Sequence, residues 1–143
     1  MYGRQNIDSE FYARNKYILD SPRGNGYWLW KPYFILKIMN QLPDNSIILY
    51  ADSGVVFSTP PSNRLFDLLK ENDIVCAGHG RPAKLRTLFK KEAQILMGID
   101  KNEKILNSQE IWGYFMVIRN NAETRKFINT WLTYCENADI LTD

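Results

Sequence analysis

The sequence predicts an α/β fold with a mostly parallel sheet, built as one domain over residues 1–143. Short apolar runs that suit strands alternate along the chain with segments whose apolar residues recur at helical spacing. Strands separated by helices are typical of crossover units, in which the strands run parallel. No internal repeat, low-complexity tract or linker divides the chain. We therefore expect a single core.

Three segments are predicted as strands. The first is a short continuous apolar run, which suits a strand buried on both faces. Glycine-containing turns follow the first two, at residues 52–54 and 78–80. Ligands bind beyond the carboxyl ends of strands in open α/β sheets, so both turns lie on the predicted ligand edge. The predicted strands are residues 46–51, 73–77 and 112–118.

Five segments are predicted as helices by apolar periodicity and capping residues. Proline suits the first position of the second helix, and Asn120 or Asn121 caps the last one, with Glu123 placed as the capping-box partner of Asn120. Residues 21–26 form a loop, in which two glycines permit unusual backbone conformations. The predicted helices are residues 8–19, 32–42, 62–71, 83–96 and a last helix that begins after residue 120 or 121.

Composition places the chain among ordinary globular domains. Hydrophobic residues make up 45% and charged residues 24%, which argues against disorder and against a fibrous class. A net charge of +2 is far below that of a dedicated nucleic-acid binder. No apolar run reaches the roughly 20 residues of a membrane helix, and the N-terminus lacks the apolar stretch of a signal peptide. With Cys76 and Cys135 read as free thiols, we expect a cytoplasmic protein.

Asp52 follows the first predicted strand directly and is the first candidate site residue. A carboxylate there can hold a divalent metal, a ribose hydroxyl or a sugar hydroxyl. Gly54 would let a ligand approach the backbone closely. An aspartate that merely forms a turn fits the same Asp-Ser-Gly composition, and the pattern does not decide between these two interpretations.

An aromatic cluster precedes the second predicted helix. Trp28 and Trp30 alternate, so both face one way if the segment is extended. Their rings can stack on a sugar or a nucleobase, and Lys31 can meet a phosphate. Arg23, beside two glycines, is a further phosphate candidate. The alternative is that these side chains fill a core or a protein interface.

Other catalytic arrangements find little support. His79 is the only histidine and most simply lies in a surface turn. One histidine without a nearby cysteine or second histidine does not make a zinc site. Ser-His-Asp catalysis lacks the Gly-x-Ser-x-Gly pattern of a nucleophile elbow.

Two motifs together resemble a family of bacterial and viral sugar transferases with a GT-A-like fold. Residues 24–36 read Gly-Asn-Gly-Tyr-Trp-Leu-Trp-Lys-Pro-Tyr-Phe-Ile-Leu, and residues 47–54 read Ile-Ile-Leu-Tyr-Ala-Asp-Ser-Gly. In that family a Gly-Tyr-Trp-x-Trp-Lys-Pro stretch precedes a helix, and a hydrophobic strand ends in Tyr-x-Asp-x-Gly. The resemblance implies a Rossmann-like (GT-A-like) three-layer sandwich with a mostly parallel sheet.

The resemblance also implies a function, which is transfer of a sugar from a nucleotide-sugar donor to a glycan or other acceptor. Asp52 stands at the position of the metal- and donor-binding Asp-x-Asp motif, with Gly54 in place of its second aspartate, and Mn²⁺ or Mg²⁺ is the implied cofactor. Trp28, Trp30, Lys31 and Arg23 would line the donor or acceptor pocket. No general base is identified.

The resemblance further implies a chain truncated at both ends. A strand that contacts the nucleotide would precede Met1, and a segment rich in His, Asp and Gln would follow Asp143.

An alternative to catalysis is a non-catalytic module that binds a sugar or a partner on the same scaffold. A nucleic-acid binder is the third alternative, favoured only by the mixture of aromatic and basic residues.

Overall fold

The computed structural model describes residues 2–78 and 83–143. Three strands form one sheet, β1 (Ile47–Ala51), β2 (Ile74–Gly78) and β3 (Ile111–Arg119). A short 3-10 turn, Arg4–Asn6, precedes the helices. The helices are α1 (Ser9–Arg14), α2 (Lys16–Leu19), α3 (Gly24–Tyr27), α4 (Trp30–Met39), α5 (Asn63–Leu68), α6 (Leu85–Leu88), α7 (Lys91–Leu96), α8 (Glu103–Leu106), α9 (Ala122–Cys135) and α10 (Ala138–Leu141).

The sheet is antiparallel, so the predicted mostly parallel, Rossmann-like (GT-A-like) sandwich is wrong. β3 lies between the other two strands and runs antiparallel to both. β1 and β2 therefore point the same way, but they do not pair with each other. The architecture is a small α/β unit on a three-stranded antiparallel sheet.

The reason for the error lies in the connection between β2 and β3. The sequence prediction placed one long helix at residues 83–96, which would carry the chain back across the sheet. The structure instead has α6, α7 and α8, each too short to span the sheet and return the chain for a parallel strand. Lys84 and Gln109 form an antiparallel bridge, so these helices lie in an excursion from one end of the sheet. β3 then enters from that same end.

Two long helices cover one face of the sheet and form the core there. Side chains of α4 and α9 pack against side chains that β1 and β3 direct to that face. The members of this cluster are Ile35, Met39, Ile48, Met116, Ile118 and Ile128. On the opposite face Ile47 is 39% exposed and Leu49 is 38% exposed. The prediction that the first strand is buried on both faces is therefore wrong.

A second cluster joins the N-terminal helices to α4 and α9. It contains Phe11, Ile18, Leu19, Leu29, Tyr33, Phe34, Leu132 and Cys135. Both cysteines are free, and burial raises the pKa of the Cys135 thiol to about 12. Among the described residues, no helix has the length and apolar character that a bilayer crossing needs.

Several predicted helix boundaries shift in the structure. The first predicted helix is divided at Asn15 into α1 and α2. Within the predicted 83–96 helix the chain divides into α6 and α7, and Leu88 and Leu96 are both about half exposed. The capping box of α9 pairs Asn121 with Thr124, and the expected pairing of Asn120 with Glu123 is wrong.

Asn120 instead links the end of α4 to the end of β3 through side-chain hydrogen bonds. It is fully buried, and its side-chain amide donates to the backbone oxygens of Met39 (2.9 Å), Leu42 (3.0 Å) and Pro43 (3.1 Å). Its Oδ1 accepts a hydrogen bond from Arg125 at 2.9 Å. These carbonyls lie at the end of α4, where no further helical turn supplies partners. One buried amide therefore terminates α4 and fixes its position beside the sheet.

Replacing Asn120 by alanine should destabilise the protein by about 2–3 kcal/mol, because buried carbonyls lose their donor. Urea unfolding measures this change. Asn129→Ala, at an exposed position of α9, is the control and should change the free energy of unfolding by less than about 0.5 kcal/mol. Equal effects of the two substitutions would contradict this role of Asn120.

Candidate functional site

A left-handed turn precedes α4 and shapes one side of the site. Five consecutive residues have positive φ: Gly24 (55°), Asn25 (52°), Gly26 (98°), Tyr27 (48°) and Trp28 (60°). For a residue with a side chain this conformation costs roughly 1–2 kcal/mol. Strain held in several successive residues is a common feature of binding sites. The two tryptophans were expected to face one way if this segment were extended. It is not extended, because Trp28 ends this turn and α4 begins two residues later.

The turn fixes the indole of Trp30. The Gly24 carbonyl accepts a hydrogen bond from Trp30 Nε1 at 3.1 Å. The ring of Trp28 lies over Gly24, where an added Cβ would be 2.5 Å from it. Gly26 packs on the Leu19 backbone, and a Cβ there would lie 2.9 Å from the Leu19 Cα. Both glycines are thus required by close approach as well as by positive φ.

Lys31 lies in the first turn of α4 and points towards the end of β1. Its ammonium is 2.8 Å from Asp52 Oδ2 and donates to the Gly113 carbonyl at 3.3 Å. The Lys31 side chain is only 11% exposed. A nearly buried ammonium requires a carboxylate partner, so this ion pair ties α4 to the residue that follows β1.

Hydrogen bonds fix both the backbone and the carboxylate of Asp52. Its backbone N–H donates to the Tyr114 carbonyl at 2.9 Å, and its carbonyl accepts from Val55 at 2.9 Å. The Tyr50 hydroxyl donates to Asp52 Oδ1 at 2.5 Å. Burial raises the pKa of the Tyr50 phenol, and the hydrogen bond to Asp52 raises it further. Asp52 therefore forms a turn and also presents an oriented carboxylate, and its binding of a ligand stays a prediction.

A cleft of about 610 Å³ opens beside this pair. One wall is the chain from Ile48 to Ser53, and the other is α4 with Tyr2. A smaller cavity of about 160 Å³, which Arg4 and Asn25 help to line, adjoins it. The two cavities share Tyr2, Trp30, Phe34 and Ser53. Trp30 thus borders both the larger cleft and the smaller cavity.

The structure brings together three of the six predicted site residues, Trp30, Lys31 and Asp52. Trp30 and Asp52 line the cleft, and Lys31 joins them through its ion pair with Asp52. Trp28, Arg23 and Gly54, all within the described residues, line neither cavity, and no side-chain hydrogen bond or ion pair joins any of them to this pair. Arg23 forms an ion pair with Asp143 and lies over the Tyr27 ring. Gly54 does not have a positive φ, and an added Cβ there would meet nothing within 4 Å.

Sequence reasoning missed four aromatic or polar residues of the cleft lining, namely Tyr2, Phe34, Tyr50 and Ser53. Tyr50 had a usable signal, because residues two apart on a strand share a face. Phe34 lies one helical turn after Trp30, which is the same kind of signal. Tyr2 reaches the cleft through a tilted ring contact with Phe34, with ring centroids 5.2 Å apart, and no local pattern predicts that contact.

The residues at Asp52 do not fit a divalent metal site. Within residues 2–78 and 83–143, no group of three or more His, Cys, Asp or Glu side chains is placed to hold a metal ion. Of the described residues that line the cleft, Asp52 is the only carboxylate, and Lys31 already balances its charge. Mn²⁺ and Mg²⁺ need several oxygen ligands. The described residues therefore offer no set of ligands for the metal expected at Asp52, and that metal stays a prediction. His79, which was predicted to lie in a surface turn, is outside the described residues.

Comparisons with protein families, with curated proteins and with solved structures gave no match to this chain.

Replacing Gly26 by alanine should destabilise the protein by about 2 kcal/mol or more, because the new Cβ meets the Leu19 backbone and φ is positive. Gly54→Ala is the matched control, since its Cβ enters open space, and it should change stability by less than about 0.5 kcal/mol. Thermal unfolding of both variants measures the difference. Equal stability of the two would show that the left-handed turn does not require glycine.

Replacing Tyr50 by phenylalanine should change how stability depends on alkaline pH. The folded state raises the Tyr50 pKa, so stability from this group is complete below the unfolded value near pH 10 and is lost as pH rises above it. The variant should lose about 1 kcal/mol at neutral pH and decline less steeply above pH 10. Urea unfolding from pH 8 to 11 measures this. Parallel curves for the two proteins would contradict the buried, donating phenol.

Proposed function

We propose that the cleft binds a nucleotide sugar and that the protein transfers the sugar to a hydroxyl of a glycan or similar acceptor. The observation that supports this proposal is the meeting of the two motifs. Lys31 comes from the aromatic motif, Asp52 comes from the strand motif, and their charged groups are 2.8 Å apart beside Trp30. Residues separated by about twenty positions in sequence thus form one charged centre on the rim of an aromatic cleft.

Asp52 has the acceptor capacity that sugar recognition needs. A carboxylate offers about four lone-pair directions. Lys31 and Tyr50 each occupy one of them, on opposite oxygens. The remaining directions suit ribose or sugar hydroxyls, which are donors at neighbouring carbons. Because both oxygens are already held, Asp52 needs no rearrangement before binding, which lowers the entropic cost of association.

Lys31 supplies the positive charge that the donor requires. The ammonium has three donors, of which Asp52 takes one and the Gly113 carbonyl takes a second. Among the described residues no third acceptor is seen, and the ammonium lies 5.7 Å from the Trp30 ring centroid. We assign this third donor to a phosphate oxygen of the nucleotide sugar. As the bond from the anomeric carbon to the diphosphate breaks, negative charge develops on the leaving group, and a fixed cation there stabilises the transition state.

Trp30 supplies the stacking surface. Its N–H is bound to Gly24, so the plane of the ring is fixed. A fixed aromatic face packs against the apolar face of a sugar or nucleobase with little loss of side-chain entropy. Because Trp30 borders both cavities, it suits a ligand that extends into both.

A non-catalytic sugar-binding module is the second candidate. Transfer requires a group that accepts the proton of the acceptor hydroxyl. Among the described residues that line the cleft, no carboxylate other than Asp52 is present, and Asp52 is bound to Lys31. This observation favours binding without turnover.

Thermal-shift titration with UDP-, GDP- and CMP-sugars, with and without Mn²⁺, tests donor binding. At least one donor should raise Tm, and Asp52→Asn should weaken its binding by roughly 10- to 100-fold, through loss of a charge-assisted hydrogen bond worth about 1.5–3 kcal/mol. Asp67→Asn, at an exposed carboxylate of α5, is the control and should bind as the wild type does. No shift with any donor, or equal shifts in the two variants, would refute the proposal.

Release of free nucleotide from the bound donor separates the two candidates. Steady release in the presence of a glycan acceptor indicates transfer. Saturable binding without release, weakened by Trp30→Ala, indicates the module.

A further inference from the structure

The three short helices between β2 and β3 form one excursion, residues 84–106, at one end of the sheet. An antiparallel bridge between Lys84 and Gln109 closes the base of this excursion. Arg86 of α6 forms an ion pair with Glu103 of α8 at 2.5 Å, so these two helices lie side by side. The excursion is therefore one unit of the surface, set apart from the helices that cover the sheet.

The excursion carries an excess of positive charge. Six cationic and three anionic side chains fall within residues 84–106, a net charge of +3, whereas the whole chain has +2. Arg86 is paired with Glu103, and Lys90 donates to the Thr142 carbonyl. The other four cations are exposed and have no carboxylate partner among the described residues; they are Lys84, Lys91, Lys101 and Lys104. Their charge is available to an external anion.

Large aliphatic side chains are exposed among these lysines. The buried residues of α7 are Ala93 and Gln94, so Lys91 and Ile95, one helical turn apart, share its solvent face. Ile95 is 56% exposed, and Leu96 beside it is 51% exposed. The exposed aliphatic side chains of the whole excursion are Leu88, Ile95, Leu96 and Ile105. Lysines interspersed with exposed aliphatic side chains are typical of surfaces that lie at the headgroup level of a membrane.

Exposed apolar side chains on α5 have a different electrostatic setting. Phe66 is 44% exposed and Leu68 is 45% exposed. Asp67 lies between them and pairs with Lys70 at 2.7 Å. Residues 63–73 contain two cationic and three anionic side chains. Apolar exposure on α5 thus comes without an excess of positive charge, and α5 provides a control for the excursion.

We propose that the excursion binds the surface of an anionic phospholipid membrane, with its lysines at the headgroups and its exposed leucines and isoleucines at the boundary of the acyl chains. A lysine close to such a surface strengthens binding about fivefold. Aliphatic side chains add to this by leaving water, and no helix has to cross the bilayer. The inference does not rest on the proposed function, since these side chains do not line the cleft.

Charge and side-chain type argue against two other occupants. In a symmetric dimer this surface would meet itself, and unpaired lysines would face unpaired lysines. Single-stranded nucleic acids bind largely by stacking on aromatic rings, whereas the exposed large apolar side chains within residues 84–106 are all aliphatic. An anionic bilayer suits both the lysines and the aliphatic side chains.

Sedimentation with vesicles of phosphatidylcholine, prepared with and without phosphatidylserine, tests the proposal. The protein should bind the vesicles that contain phosphatidylserine and should be released as the salt concentration rises, because salt screens charges near the surface. Absence of binding, or equal binding to both kinds of vesicle, would overturn the proposal.

Two matched pairs of variants separate the charged and the apolar contributions. Lys91→Gln should weaken binding to the anionic vesicles roughly fivefold, and Lys126→Gln, at an exposed position of α9, should leave it unchanged. Leu96→Ser should weaken binding at least roughly fivefold. Leu68→Ser should bind as the wild type does, since Leu68 ends α5 as Leu96 ends α7 and has similar exposure. Equal effects within either pair would contradict the assignment of this surface.

Three further results bear on the proposal. Asp52→Asn should bind vesicles as the wild type does, so loss of nucleotide-sugar binding and loss of membrane binding are distinguishable. Binding of a single-stranded oligonucleotide instead of vesicles, weakened by Lys91→Gln and not by Leu96→Ser, would overturn the choice of a membrane. Concentration-dependent dimers in light scattering that Leu96→Ser abolishes would overturn it in favour of a second copy.

Discussion

The ion pair between Lys31 and Asp52 is the constraint on which the site depends. A side chain that is only 11% exposed places an ammonium on the inner side of α4, and the carboxylate after β1 is its partner. Removing one member of such a pair leaves the other charge poorly solvated, which costs more than the pair itself contributes. The ion pair therefore holds the start of α4 against the end of β1. Tyr50 and the left-handed turn then fix the orientation of the carboxylate and of the Trp30 ring.

The position of the cleft follows from the arrangement of α4 and the sheet. Asn120 holds the carboxyl end of α4 near the end of β3, and Lys31 holds its amino end near Asp52. Between these two attachments α4 runs beside β1, and Trp30, Phe34 and Ile38 of α4 line the cleft. The cleft is therefore bounded by these side chains and Tyr2 on one side and by the chain from Ile48 to Ser53 on the other.

Local patterns in the sequence predicted part of the candidate site and little of the topology. Asp52 was predicted because a strand followed by Asp-Ser-Gly is a local feature, and Tyr50 lay within reach of the same reasoning. The contact between Lys31 and Asp52 was not predicted, because it depends on how α4 lies against β1. The prediction of strand direction failed for a similar reason. Apolar residues at helical spacing over residues 83–96 do not show that the chain divides there into α6 and α7. The positive φ angles of Tyr27 and Trp28 could not be predicted from the sequence either, because packing around the neighbouring glycines imposes these angles.

A double-mutant cycle on Lys31 and Asp52 tests the central claim most directly. The free energy of unfolding is measured by urea denaturation for wild type, Lys31→Met, Asp52→Asn and the double variant. The account predicts that each single variant is destabilised and that the double variant is more stable than the sum of the two losses implies, with a coupling energy of about 1–3 kcal/mol. Additive losses, within about 0.3–0.5 kcal/mol, would contradict it.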